Sequence, residues 1–306
     1  MTKKKKFVPV YAFHPGETLR EKLEEMGMSV KEFALRTTKP EKTINAVLNG
    51  SSSVTPDMSV AFEQITMIPA HVWLNLQRNY DEYVARQKRR EICENPKTIE
   101  WARHFPYASM AKMGWVPTTK VLPERIMYLF SFFRITSCKA WEDYFLYQEL
   151  KSAFRLSLVQ TKDPYAISAW LRQGEVLAGS MSTKNPYSDE LLKKKLSQML
   201  LLKRKDDCSL ELMDLCSQAG IKLVYIDHIA HAPVHGCARW ICDTPCIQIT
   251  KGIANESTFW FTFFHEIGHI LLHGKKEVFL EDKAYHHYQM EKEAEADAFA
   301  KRILMH

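Results

Sequence analysis

The stretch at residues 263–273, FFHEIGHILLH, decides how the rest of the chain is interpreted. His265 and His269 stand four residues apart in an apolar run, and Glu266 directly follows the first histidine. Side chains four residues apart share one face of an α-helix, so both imidazoles can reach a single ion. Glu266 is then placed to act as a general base toward water. The competing interpretation is a buried helix that contains histidines by chance.

A catalytic metal needs a third protein ligand, and an acidic helix predicted at 290–304 (MEKEAEADAFAKRIL) supplies candidates. We prefer Glu293, because Asp297 lies four residues further along the same face. Asp297 can accept the N–H of His265 and fix its tautomer. Glu295, in the same acidic turn, is the rival ligand. The bland alternative is a solvated acidic helix face.

Histidines beyond His269 are weaker ligand candidates. The position six residues further on, where an extended HExxH motif would have a third histidine, is Lys275. His273 lies four residues further, one turn along the helix. We therefore predict that His273 packs against or supports the site without binding the ion.

Short strands and a long helix are predicted around the motif. Three apolar, β-rich runs predict one small sheet: 220–227, 238–242 and 246–250. The helix 254–274 follows, with Asn255 or Ser257 as its cap. The run CIQIT at 246–250 is expected to form a sheet edge that pairs with an extended peptide. Candidates for stabilising an oxyanion are His231, His235, Tyr285, His286, His287 and Tyr288.

The order of these features resembles the ImmA/IrrE metallopeptidases of family M78, whose motif is HExxH followed by ExxxN/D-x-FA. Here the motif falls on His265, Glu266 and His269, then on Glu293 and Asp297 followed by FA at 299–300. The resemblance covers about 206–305. It implies a zincin-like fold, Zn²⁺ as cofactor, and proteolysis of helix-turn-helix repressors.

The front of the chain is patterned as short helices separated by turns. Pro15 and Gly27 bound the first helix, and Ser29 can cap a second, with Glu32 as its capping-box partner. Pro40 suits the first turn of a third helix, and a fourth begins near Thr55. This is the pattern of a helix-turn-helix, although a helical bundle that binds only protein has the same periodicity.

The third helix would present side chains to DNA. Lys42 can donate to guanine or phosphate, and Asn45 can pair with adenine. Lys39 and Thr43 are expected at the DNA backbone. Glu41, on the same helix, would repel phosphate.

The segment 14–83 resembles the HigA-type antitoxins of the XRE family, through HPGE at its start, NG after the third helix and WLNLQ…YD. The resemblance implies a homodimeric module that binds operator DNA, including that of its own promoter. It also leaves a second reading open: an antitoxin with a cognate toxin, whose metallopeptidase domain is only sensory or structural.

Charge and composition differ along the chain in a way that agrees with these assignments. Residues 1–90 carry 15 Lys and Arg against 10 Asp and Glu, whereas 206–306 carry 9 against 15, which suggests different partners for the two ends. We predict an α+β protein: an all-α helix-turn-helix domain (1–90), a helical linking region (91–205) and a zincin-like α+β domain with a small sheet (206–306). Seven scattered cysteines and the lack of a signal-peptide or membrane-spanning run favour a cytoplasmic location.

Overall fold

The computed structural model describes residues 12–149, 163–205, 207–232, 234–252, 255–273 and 284–305, without the side chains of 146–149 and 284–290. The chain divides into two compact units, Met1–Cys93 and Glu94–His306. The fold is α+β, as predicted, and the three strands found among the described residues lie in the second unit. None of the helices in the described parts of the chain is long and apolar enough to cross a membrane. The three-domain division remains a prediction.

The first unit is helical throughout its described part. Its helices are α1 (Pro15–Glu25), α2 (Val30–Arg36), α3 (Glu41–Leu48), α4 (Pro56–Thr66) and α5 (Ala70–Glu94), which runs just past the unit boundary. Its core is one buried apolar cluster that includes Leu19, Phe33, Ile44, Phe62 and Trp73. Burial of such side chains stabilises a small domain by about 1.5–3 kcal/mol each.

Local capping explains where these helices begin. The Ser29 hydroxyl accepts the N–H of Glu32 at 3.2 Å, as predicted. The Glu32 carboxylate forms an ion pair with Arg36, one turn further along α2. It therefore does not bond back to Ser29 as the predicted capping box would require. Pro40 precedes α3 as its cap instead of lying in its first turn.

The second unit begins with helices and ends with a sheet and two long helices. Its first helices are α6 (Pro96–Arg103), α7 (Tyr107–Lys112), α8 (Leu122–Phe133), α9 (Cys138–Trp141, continued as a π-helix over Glu142–Glu149), α10 (Pro164–Gly179), α11 (Asp189–Leu201, followed by a 3₁₀ turn at Leu202–Arg204) and α12 (Ser209–Gln218). The strands β1 (Lys222–Ile226), β2 (Gly236–Ile241) and β3 (Thr244–Thr250) and the helices α13 (Glu256–His273) and α14 (Ala284–Leu304) follow.

An aromatic cluster fills the middle of this unit. Trp101, Phe105 and Tyr165 contact Trp141, which is fully buried, and Phe145 is 2% exposed. Trp141 and Phe145 are therefore core positions, whereas Tyr144 faces outward.

The sheet has the order β1-β3-β2, with β3 parallel to β1 and antiparallel to β2. The prediction that CIQIT forms a sheet edge is therefore wrong, because β3 is the central strand and β2 is an edge. The two-residue turn at Cys242 and Asp243 has positive φ at both positions, the geometry of a tight hairpin. The hairpin folds β2 back along β3, while β1 occupies the other side.

Strand alternation places different helices on the two faces of the sheet. Leu223, Ile247 and Ile249 pack with Trp260 and Phe263 of α13. On the opposite face, each strand donates one polar side chain to a carbonyl of α10: Lys222 to Ala178, Gln248 to Trp170 and Arg239 to Leu171, at 2.6–2.9 Å. Helix α10, which was predicted to lie in a linking region, thus covers one side of the sheet.

The two last helices pack closely at a glycine. Asn255 caps α13, accepting the N–H of Ser257 at 2.9 Å. Gly268 lies against α14, where a Cβ atom would meet the Cα of Ala296 at 3.2 Å and the ring of Phe299 at 3.3 Å. This close approach brings the motif of α13 beside the acidic turn of α14.

Candidate metal centre

Three of the predicted site residues converge between α13 and α14. His265 and His269 lie one turn apart on α13, and Glu293 faces them from α14. All three are half-buried, so the cluster is supported by the core but reachable from outside. Each residue contributes one ligand atom, and the three atoms lie within 4.8 Å of one another.

The spacing of the donor atoms fits a metal ion. The Nε2 atoms of His265 and His269 are 3.0 Å apart, and the Glu293 carboxylate lies 3.2 Å from the first and 3.5 Å from the second. Ligands at 2.0–2.1 Å from a tetrahedral ion are separated by about 3.3 Å. Two imidazoles and one carboxylate also form a donor set suited to zinc, with a fourth position left for substrate or water.

The charges at this cluster favour a cation. Burial lowers the pKa of His265, but Glu293, Glu266 and Asp297 outweigh burial and raise it to about 9. Burial raises the pKa of Glu293, whereas hydrogen bonds from the two histidines hold it well below its ordinary range. The same carboxylates that favour a protonated imidazole favour a bound metal ion.

Glu266 lies beside the ligands but points toward the sheet. Its side chain is buried, and burial raises its pKa above the ordinary value against the opposing charges of His269 and His265. The backbone N–H of Ala238 in β2 also donates to Glu266. A carboxylate with a raised pKa is a better general base near neutral pH.

Two further carboxylates contact the ring nitrogens that face away from the donor cluster. Asp297 lies 2.9 Å from Nδ1 of His265, as expected of an orienting residue. Glu295, the rival third ligand, instead lies 3.0 Å from Nε2 of His273. The Nδ1 atoms of His273 and His269 are 3.0 Å apart. The repeat of histidines at 265, 269 and 273 was the sequence signal for this last contact.

Strand β2 presents backbone groups beside the cluster, which the sequence analysis missed. The N–H of Thr250 donates to the carbonyl of His235, and this fixes which residues of β2 bond to β3. By alternation, the backbone groups of Gly236, Ala238 and Trp240 point away from β3. Gly236 itself lies close to Glu266, where a Cβ would approach its carboxylate at 3.1 Å. His235 precedes this strand, and the side chains of 285–288 lie outside the described residues.

The predicted DNA-contacting residues lie on or just before α3. Lys42 and Asn45 are exposed and Thr43 is half-buried. Lys39 pairs with Asp57 of α4, so its ammonium group is directed along the protein surface. The buried Ile44 and Val47 fasten the opposite face of α3 to the core of the first unit.

Comparison with known proteins separates the two units. The family model described as the M78 peptidase, IrrE N-terminal-like domain, matches residues 216–306. The helix-turn-helix-type transcriptional regulator YddM of Escherichia coli is 27% identical over 89 residues, covering 29% of this chain and 84% of the relative. Virulence-associated protein I of Dichelobacter nodosus is 33% identical over 82 residues, covering 26% and 76%.

A solved structure matches the first unit in the same way. The addiction module antidote protein of a HigA family from Coxiella burnetii is 34% identical and covers 26% of this chain and 87% of its own, with a TM-score of 0.25. Residues 216–306 therefore match an M78 peptidase, IrrE N-terminal-like domain, and the helical first unit is similar to helix-turn-helix-type transcriptional regulators.

Proposed function

We propose that this protein is a DNA-binding transcriptional regulator whose second unit is a zinc-dependent endopeptidase. The observation that carries the proposal is the convergence of His265, His269 and Glu293 next to the buried Glu266. A metal-binding group with a base at its side and a strand edge beside it has the parts that peptide hydrolysis requires.

Zinc would be held by the two Nε2 atoms and the Glu293 carboxylate. When bound, it supplies a Lewis acid that polarises the scissile carbonyl and makes water more acidic. Asp297 accepts the Nδ1–H of His265 and keeps its Nε2 lone pair directed at the cluster. These contacts preorganise the site before substrate arrives.

Glu266 is the proposed general base. Its buried carboxylate takes a proton from the attacking water and passes it to the leaving amine nitrogen as the peptide bond breaks. The N–H of Ala238 holds the carboxylate in place.

An extended substrate segment would pair with β2. The outward carbonyls of Gly236, Ala238 and Trp240 and the outward N–H groups of Gly236 and Trp240 are available for β-augmentation beside Glu266. The Ala238 N–H is already used by Glu266. The proposed substrate class is a helix-turn-helix repressor or an antitoxin-type protein, whose cleavage would relieve repression.

The test compares Glu266→Gln, Glu293→Ala and Glu256→Gln for metal content and for cleavage of HigA-type repressors and of the chain itself. We expect Glu266→Gln to keep about one zinc per chain and to lose cleavage by at least about 10³-fold, from the loss of the base and its local charge. Glu293→Ala should lose both. Glu256→Gln, at the start of the same helix, should match wild type. A Glu266→Gln variant that still cleaves these substrates at the wild-type rate would contradict this mechanism.

For the first unit we propose binding to operator DNA as a homodimer, through the exposed face of α3. Replacing Lys42 with alanine should weaken binding to all DNA sequences alike. It should also reduce the slope of log K against log salt concentration by about one in magnitude. Asn45→Ala should instead cost about 1–3 kcal/mol of discrimination at one base pair. Footprints over a range of salt concentrations measure both effects, with Lys193→Ala, a substitution of an exposed lysine in the second unit, as the control. Equal protection on all sequences would argue against a specific operator.

A second candidate function follows from the antidote relative. The protein would be an antitoxin with a cognate toxin, and its metal domain would be sensory or structural. Co-expression with a neighbouring toxin gene tests it: neutralisation by wild type and by Glu266→Gln alike would favour this reading. Toxicity unchanged by either would exclude it.

A further inference from the structure

A second histidine–carboxylate chain leads away from the metal centre. His273 lies at the end of α13, one turn beyond His269, and Glu295 lies on α14. The contacts run from Nδ1 of His269 to Nδ1 of His273 at 3.0 Å, then from Nε2 of His273 to Glu295 at 3.0 Å. This chain is separate from the contact between His265 and Asp297.

When a metal ion is bound by His269, the series of contacts from His269 through His273 to Glu295 allows one arrangement of protons. Because Nε2 of His269 would give its lone pair to the ion, its proton is on Nδ1. That N–H can donate only to an unprotonated Nδ1 of His273. The proton of His273 is therefore on Nε2, where Glu295 accepts it. Each N–H group of this series then faces an acceptor.

The side chain of His273 is buried where it makes these contacts. Its side chain is 6% exposed, although its neighbour Leu272 is 49% exposed at the same helix end. A buried imidazole is stabilised when both nitrogens have partners, and here both are used. The Glu295 carboxylate is directed to His273 rather than to the donor cluster.

We propose that His273 and Glu295 are positioning residues that fix the tautomer and the ring orientation of His269, so that its Nε2 is presented to the metal. The inference rests on the zinc site of the proposed function. It assigns Glu295 to support of that site and not to ligation. The two histidine ligands are thus oriented in different ways. Asp297 contacts His265 directly, whereas Glu295 acts on His269 through the imidazole of His273.

The test measures zinc affinity by chelator competition in the full chain. Loss of such a supporting partner weakens metal binding by about 10–100-fold, and we expect this for His273→Ala. Glu295→Ala should have a smaller effect. His273→Gln should restore most of the affinity, since its amide can accept from His269 and donate to Glu295. Leu272→Ala, on the same turn, should bind like wild type.

Two measurements separate positioning from packing. The double variant His273→Ala/Glu295→Ala should bind no more weakly than His273→Ala, because Glu295 acts through His273. Nitrogen NMR of the metal-free protein should show neutral His269 protonated at Nδ1 in wild type and as a mixture of the two tautomers in His273→Ala. Metal-free unfolding in urea tests whether the variants remain folded.

Three outcomes would overturn the proposal. If His273→Ala binds zinc as tightly as wild type, His273 and Glu295 do not position His269. The zinc site and its proposed activity would be unaffected by this result. Weak binding that His273→Gln does not rescue, with a lowered metal-free urea midpoint, would assign His273 to packing. Absence of zinc binding in wild type would remove the proposed function together with this inference.

Discussion

At the scale of single residues, the histidine that begins the first helix is buried although it can ionise. His14 is 6% exposed, and its Nδ1 accepts the N–H of Gly16 at 3.0 Å. The ring of Tyr80 lies edge-on to it at 4.8 Å. Burial lowers the pKa of His14 below 6.5, and the charges of Asp81 and Glu17 only partly oppose this. The folded state therefore favours the neutral ring.

We predict that the first unit loses stability in mild acid because of His14. Its folded pKa is depressed, so its contribution is fully present above the unfolded value of about 6.5 and is lost as pH falls toward the folded value. Hydrogen exchange of α1 in urea at pH 7.5 and 5.5 measures the effect. His14→Asn, which can still cap the helix, should show a smaller loss than wild type.

The exposed His71 is the control for this experiment, since His71→Asn should retain the wild-type pH dependence. NMR titration of the His14 ring should give a midpoint below 6.5. An equal loss of stability in His14→Asn and wild type would contradict the assignment.

At the scale of elements, the candidate metal centre depends on how closely α13 and α14 approach. Gly268 of α13 packs against Ala296 and Phe299 of α14, with no room for a further side chain between them. Because Glu293 is on α14, the distance between the two helices sets its distance from both histidines.

We predict that Gly268→Val lowers zinc affinity without touching a ligand. The added methyl groups force the helices apart, cost about 1–3 kcal/mol of stability, and withdraw the Glu293 carboxylate from the Nε2 atoms. Zinc affinity by chelator competition should fall at least about 10-fold. Gly179→Val, at a glycine with open space around it, is the matched control. Wild-type affinity in Gly268→Val would show that the site tolerates a wider helix spacing.

Local features were predictable from the sequence, because their causes are local. The cap at Ser29 and the helix Val30–Arg36 follow from residues within a few positions of each other. The contact of Asp297 with His265 also follows, because helical spacing determines which side chains share a face.

Strand order was not predictable, because it depends on contacts distant in the sequence. CIQIT is apolar enough for either an edge or a centre, and only the pairing with β1 and β2 makes it central. A signal was present in the strands: Lys222, Arg239 and Gln248 interrupt apolar runs once each. All three donate to α10, so they marked a face covered by another helix.

At the scale of the whole molecule, each unit has its own core. The cluster that includes Leu19 and Trp73 lies within the first unit, and the cluster that includes Leu192 and Ala300 lies within the second. The proposed ligands all belong to the second unit. If zinc binds there as proposed, it would stabilise the state that contains the folded site by RT ln(1 + [Zn]/Kd).

We therefore predict two unfolding transitions, of which zinc raises only one. At free zinc about 100-fold above Kd the gain is about 2.7 kcal/mol, which corresponds to a shift of roughly 5–11 °C for a unit of this size. Calorimetry measures the shift, and hydrogen exchange of peptides from each unit assigns the transitions. Glu293→Ala should abolish the shift, whereas Lys42→Ala, in the first unit, should retain it. A single transition that zinc moves as a whole would mean that the two cores unfold together and that metal binding also stabilises the first unit.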